Sequence, residues 1–177
     1  MSHYYINGSE TLDSSLLQAG YAKADITDVI LTHLHFDHCG GSIIRDGDKL
    51  ISAFPNATFW SNERHWNWAV NPNDREKASF LKENILPIQE SGKLKFIPVV
   101  ENGTLMFDNE PNISIRYAFG HTDAMMLPQI NMDGKTVVFM ADLLPSPSHI
   151  PLPYVMAYDM FPLTTLQEKK IFLEEAV

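Results

Sequence analysis

An α/β fold is predicted by three observations. Apolar runs of strand length alternate along the chain with amphipathic stretches of helical period. Titratable residues cluster at the ends of the expected strands, where open α/β sheets gather their functional groups. The chain has 177 residues, 45% hydrophobic and 20% charged, enough for a single domain over 1–177 with its own core.

The elements follow in order. Residues 9–20, SETLDSSLLQAG, read as a short helix that Ser9 or Thr11 can cap, with Leu12, Leu16 and Leu17 as its apolar face and Gly20 as its end. Residues 25–33 read as a strand whose continuous apolar run Val29, Ile30, Leu31 suits burial on both faces, and the CGG that follows breaks it. Residues 57–61 are a second strand. Residues 61–70 and 71–85 read as helices, the second with Asn71 as cap and Pro72 in the first turn. Residues 94–100 are a strand. Ile113, Ile115, Tyr117 and Phe119 alternate with less apolar residues, so that strand is expected to be half-buried. An MDGK turn leads into residues 135–142, expected to be a fully buried strand. A rigid proline-rich loop covers 143–153. The last helix is expected from Thr164 onward, with Thr165 and Glu168 in capping-box positions.

Composition sets bounds on function. The net charge of −9 argues against a general phosphate-backbone binder, so no nucleic-acid partner is expected. The single cysteine, Cys39, allows no internal disulfide and fits a reducing cytoplasm. No apolar run reaches membrane-span length and no signal-peptide pattern opens the chain, so a membrane partner is not expected either.

The chemistry concentrates in LTHLHFDHCGG, residues 31–41. On an extended chain residues i and i+2 point to one side, so His33 and His35 can face a common point, while Asp37 and His38 sit where the chain curls back. Imidazoles with a carboxylate suit Zn²⁺ and related divalent ions. Two further expected strand ends add His121, in YAFGHTD, and Asp142, in VVFMADLL. An aspartate behind five apolar residues is costly to bury unless a metal or a dense set of donors meets it. Cys39 reads as a small buried residue and His65 as structural, while His3, near the terminus, is given no role. His149 is open between lining a substrate pocket and packing its loop.

THLHFDHCGG, then GHT at 120–122, then AD at 141–142 resemble in order and spacing the metallo-β-lactamase superfamily, and most closely its lactonase and organophosphate-hydrolase-like branch. The resemblance spans nearly the whole chain. It implies a four-layer αββα sandwich with two metals at one edge, His33, His35 and His121 holding one, Asp37 and His38 the other, and Asp142 bridging them. It departs from the family in three ways. Many relatives have proline, glycine and histidine after the threonine, where this chain reads GHTDAMM. The family usually places several strands ahead of the motif, which here starts at His33. It also has a final histidine after the helix that here begins near Thr165, whereas no histidine follows His149. The chain is therefore expected to be part of a longer protein, or one piece of a nicked one, with another polypeptide segment or a homodimer partner completing it.

The expected activity is hydrolysis of a small-molecule ester or lactone by a hydroxide on two zinc ions, with iron or manganese as other possible metals. Asp37 is a candidate catalytic proton acceptor. Tyr154, with Tyr158 as a second choice, is a candidate oxyanion donor. Trp60, Trp66, Trp68, Phe80 and Phe161 supply apolar surface for core, lid or pocket. Phosphotriester or phosphodiester hydrolysis on the same metals, iron-based redox chemistry, and a catalytically inactive binding module are the alternatives.

Overall fold

The computed structural model describes residues 8–101, 103–107 and 110–176; His3 lies outside them. Leu12–Gln18 form the first helix, α1, capped by Thr11, whose hydroxyl accepts from the Ser14 amide, and followed by Gly20 in a left-handed conformation. Strand β1, Asp28–Ile30, pairs in parallel with β4, Thr58–Ser61, which pairs in parallel with β5, Leu94–Phe96. A second sheet is antiparallel in the order β6, Thr104–Met106; β7, Ile113–Ala118; β8, Met125–Met132; β9, Lys135–Val138. The hairpin between β8 and β9 turns at Asp133 and Gly134, both with positive φ, as a two-residue hairpin turn requires. Between β1 and β4 lie a one-turn helix α2, Phe36–Cys39, and a separate hairpin of β2, Ile43–Asp46, and β3, Lys49–Ser52. Helices α3, Glu63–Val70, and α4, Lys82–Glu90, follow β4, and α5, Pro162–Glu175, closes the described chain.

Side-chain alternation assigns the layers. Phe59 of β4 and Val29 of β1 join Trp66, Phe80, Ile85 and Ile88 in a core between the parallel sheet and helices α3 and α4. Their neighbours Trp60 and Ile30 point the other way and meet Ile115, Tyr117 and Met126 of the antiparallel sheet. The opposite face of that sheet, through Ala118, Met125 and Leu127, packs against Leu143 and Phe172 of α5. The order is helices, sheet, sheet, helix, the four-layer αββα arrangement expected from the sequence.

Several local expectations need correction. The strand expected over 25–33 is only three residues long and half-buried, because the chain leaves the sheet at Leu31 to form the motif loop. The helix expected over 71–85 is instead a turn followed by α4. The Asn73 carboxamide oxygen accepts from the Arg75 and Glu76 amides and folds the chain back before a helix can form there. Strand β7 is buried on both faces, since it sits centrally in its sheet with core on either side. Strand β9 is an exposed edge, with Val137 and, just past its end, Phe139 more than half exposed, because its position in the sheet leaves one side without a neighbour. Helix α5 starts at Pro162, so Thr165 lies inside it and Glu168 bonds to another segment instead of closing a capping box. The long strand β8, the β2–β3 hairpin and β6 were not anticipated. The described helices include none long and apolar enough to cross a membrane.

Candidate metal centre

Three strands deliver the site from their carboxyl ends. The chain beyond β1 carries His33, His35, Asp37 and His38; the chain beyond β7 carries His121; the chain beyond β9 carries Asp142. His33 lies in the loop between β1 and α2 and His35 is the N-terminal cap residue of α2, so Asp37 and His38 fall within that single helical turn. Asp142 follows Ala141, whose φ of 42° is rare outside glycine and turns the chain sharply just before the carboxylate.

One ligand atom from each of His33, His35, His121 and Asp142 falls within 4.8 Å of the others. His121 Nε2 lies 3.2 Å from His35 Nδ1 and 3.1 Å from Asp142 Oδ2. His33 Nε2 is 3.7 Å from the same Oδ2. Ligands about 2.0–2.1 Å from a tetrahedral zinc lie roughly 3.4 Å apart, so these separations suit such an ion. The other oxygen of Asp142, Oδ1, is 3.3 Å from His38 Nε2, which in turn is 3.7 Å from Asp37 Oδ2. Asp142 therefore faces two groups of donors with its two oxygens. His33 Nε2 is buried and has no hydrogen-bond partner among the described residues. An orphaned imidazole nitrogen in such surroundings fits a metal ligand.

The outward nitrogens are held. His35 Nε2 donates to Glu76 Oε1 at 2.9 Å, His121 Nδ1 donates to Asp159 Oδ1 at 3.0 Å, and His33 Nδ1 is hydrogen-bonded to the Thr32 hydroxyl at 3.2 Å. Such outer partners set ring orientation and aim the other nitrogen inward. Glu76 is buried and also accepts from Thr122 Oγ1, Trp68 Nε1 and Asn73 Nδ2. Burial alone disfavours its charge, but these donors and His35 outweigh burial and hold its carboxyl below the usual range.

The buried ligands act on one another's charge. Burial, reinforced by His35, His38 and His121, keeps His33 neutral. Burial also opposes charge on Asp142 and His121. Their mutual hydrogen bond, with His38 and Asp159 adding theirs, outweighs it, so Asp142 is pulled far below the carboxylate range and His121 is raised to about 9.

The other candidates are placed as follows. Asp37 lines a cavity of about 560 Å³ that opens onto His35, His121 and Asp142. Arg75, Tyr158 and Met160 line the same cavity. Tyr154 is exposed and does not line it; its carbonyl is bonded to Lys169. His149 bonds Ser146 and also lies outside the cavity wall. Cys39 is fully buried with its thiol on the Leu34 carbonyl, and burial pushes its pKa up to about 12. His65 is structural, as expected: Nε2 accepts from the Leu34 amide and Nδ1 donates to the Asp123 carbonyl, tying the motif loop to the His121 loop. Trp66 and Phe80 are core, Trp60 packs between the sheets, Trp68 serves Glu76, and Phe161 is the residue just before α5.

Sequence reasoning missed Glu76 and Asp159. Glu76 falls in the stretch 71–85 expected to be a helix, and the only local signal is the NPND turn that carries it inward. Asp159 stood alone after a proline loop, and only its burial in the fold reveals it.

The comparisons agree on one family. The model of the metallo-beta-lactamase superfamily matches residues 6–175. Among solved structures, a probable metal-dependent hydrolase from Staphylococcus aureus superposes with a TM-score of 0.81 at 25% identity, covering 96% of this chain and 57% of that one. AidC, a dizinc quorum-quenching lactonase in complex with a product, gives 0.75 at 26% identity, with 93% and 58% covered. The hydrolase AbOPH shares the fold, with a TM-score of 0.72 at 24% identity and 92% and 57% covered. The chain thus spans less than three fifths of the length of these proteins. A comparison with curated proteins gave no match.

Proposed function

The chain belongs to the metallo-beta-lactamase superfamily, and from that premise we propose that it holds two divalent metal ions, zinc foremost with iron or manganese as alternatives, and serves the hydrolysis of a small-molecule ester or lactone. The observation that carries the reading is the convergence of His33 Nε2, His35 Nδ1, His121 Nε2 and Asp142 Oδ2 while the outer nitrogen of each imidazole is engaged elsewhere. His33, His35 and His121 would hold one ion and Asp37 and His38 the other, with Asp142 available to both; the separate contacts of its two oxygens support that reading. The likeness to a dizinc lactonase supports a carboxylic ester or lactone over other substrates.

Bound divalent ions supply Lewis acidity, which polarises a carbonyl and acidifies water near neutral pH. The protein's own groups do the rest. Asp37, open to the cavity, accepts the proton that an attacking water sheds. His35 and His121 keep their orientation because Glu76 and Asp159 hold them. Phe36, Ala78 and Met160 give the cavity an apolar wall against which an acyl group can lie, excluding water from it. As the hydroxyl that steadies negative charge on the substrate oxygen, Tyr158 is favoured over Tyr154, because it lines the cavity.

The test is hydrolysis by the purified, metal-loaded chain on esters and lactones, run beside phosphotriesters. The expected result is turnover of the carboxylic substrates, reduced by at least about 100-fold in Asp37→Asn with the fold retained. Full activity in that variant removes the role given to Asp37. A metal-loaded chain inert on every substrate supports a binding module instead.

A further inference from the structure

Helix α5 carries a fully buried lysine. The Lys169 ammonium donates to the carbonyls of His149, Pro151 and Tyr154 at 2.8, 2.9 and 2.7 Å. An ammonium has three N–H donors, and here one loop takes all three. Burying a lysine is costly unless its charge is answered. Three carbonyl dipoles do so, and Asp159 adds its negative charge.

The preceding residue grips a different segment. Glu168 accepts from the Phe119 amide at 2.7 Å and the Gly120 amide at 3.1 Å. The two segments held by Glu168 and Lys169 meet at one imidazole. His121 follows Gly120 directly, and Asp159, its hydrogen-bond acceptor, lies five residues past the loop that Lys169 gathers. The junction is closed by the Met160 amide donating to the His121 carbonyl at 3.0 Å and the Phe161 amide donating to the Gly120 carbonyl at 2.8 Å. Asp159 is buried with only Oδ1 hydrogen-bonded; its Oδ2 has no such partner among the described residues. No ion pair joins Lys169 to Asp159 among the described residues, but the ammonium's charge favours that carboxylate across the loop.

We propose that Lys169 is a positioning residue for the metal centre: by gathering the loop at 149–154 beneath α5 it sets Asp159 against His121 and thereby fixes the direction in which His121 aims Nε2. The inference rests on the metal-binding reading for its purpose, while the contacts that carry it lie outside the ligand set. A strut that only holds the fold together makes a different prediction, because its loss lowers stability without acting on one imidazole.

The test uses the full chain with Lys169→Met, which keeps the apolar stem without the charge, and Lys169→Ala. Circular dichroism follows the fold. The imidazole N–H resonance of His121, read by nitrogen-edited NMR on metal-free protein, follows the bond to Asp159. A cobalt titration follows the ligands. Both variants are expected to stay folded, to lose or shift the His121 resonance, and to bind cobalt about 10–100-fold more weakly. In Lys169→Ala, n-propylammonium restores both signals by occupying the vacated space; tetramethylammonium, which has no N–H to donate, does not. A native His121 resonance and native cobalt affinity in Lys169→Met overturn the proposal. So does unfolding of both variants that the amine fails to reverse, which makes Lys169 a strut. A native chain that takes up no cobalt defeats the metal reading and leaves the His121 resonance to decide the positioning claim.

Discussion

Glu76 illustrates what single residues contribute. An imidazole turns about its side-chain bonds unless both nitrogens are engaged, and Glu76 engages the outer one of His35. Glu76→Ala is expected to lower metal affinity about 10–100-fold while leaving the ligands in place, which competition against a chelating dye will read. His65 contributes through neutrality. Burial lowers its pKa to about 4, against about 6.5 in an unfolded chain. Above pH 6.5 both states are neutral and the residue adds no pH dependence. As pH falls from 6.5 toward 4 the unfolded state takes up a proton that the folded state refuses, so folding is weakened by up to about 3 kcal/mol. His33 is shifted in the same direction and adds to the loss. Urea unfolding of the metal-free protein at pH 7, 5.5 and 4.5 is expected to show this decline, with a shallower slope in His65→Gln. Stability unchanged across that range contradicts the neutral, buried His65.

Elements aim what residues provide. The first turn of α3 binds the loop after His121 three times: Asn62 Nδ2 donates to the Ala124 carbonyl, Arg64 pairs in two-pronged fashion with Asp123, and His65 donates to the Asp123 carbonyl. Helix α5 approaches the same loop from the other side so closely that a Cβ on Gly120 would lie 2.2 Å from the Thr165 backbone nitrogen. Gly120→Ala must therefore push α5 outward. A loss of about 1–3 kcal/mol in denaturant unfolding is expected, together with weakened metal binding; an unaltered midpoint contradicts the close packing. This is also the scale at which the sequence was hardest to read. The H-x-H-x-D-H run declared its chemistry because its ligands are neighbours in the chain. Glu76, Asp159 and Lys169 act across long sequence separations, and nothing local marks them. Strand β8 is hard to read because MMLPQINM does not alternate cleanly and carries a proline, while its burial comes from the parallel sheet on one face and α5 on the other. The edge strand β9 looked buried because its apolar run records composition, and its place at the sheet edge is a matter of topology.

At the scale of the molecule, two sheets packed face to face bring the carboxyl ends of β1, β7 and β9 to one rim, so that residues 33–38, 121 and 142 meet although they lie far apart in the chain. That layering was expected only through the resemblance to the family that the motif order carries; the residue pattern by itself reached no further than α/β. The cavity's shape was legible in neither, because the turn at Asn73 and the loop at 157–160 that wall it follow from tertiary contacts. An acidic chain with a net charge of −9 also favours cations over anions around its surface. We read this rim as a metal centre. The most direct measurement is metal content per chain by elemental analysis of protein purified without added metal, beside His33→Ala and His121→Ala. About two divalent ions per native chain, zinc foremost, are expected, with a clear loss in both variants. A native chain with no more bound metal than the two variants contradicts that reading.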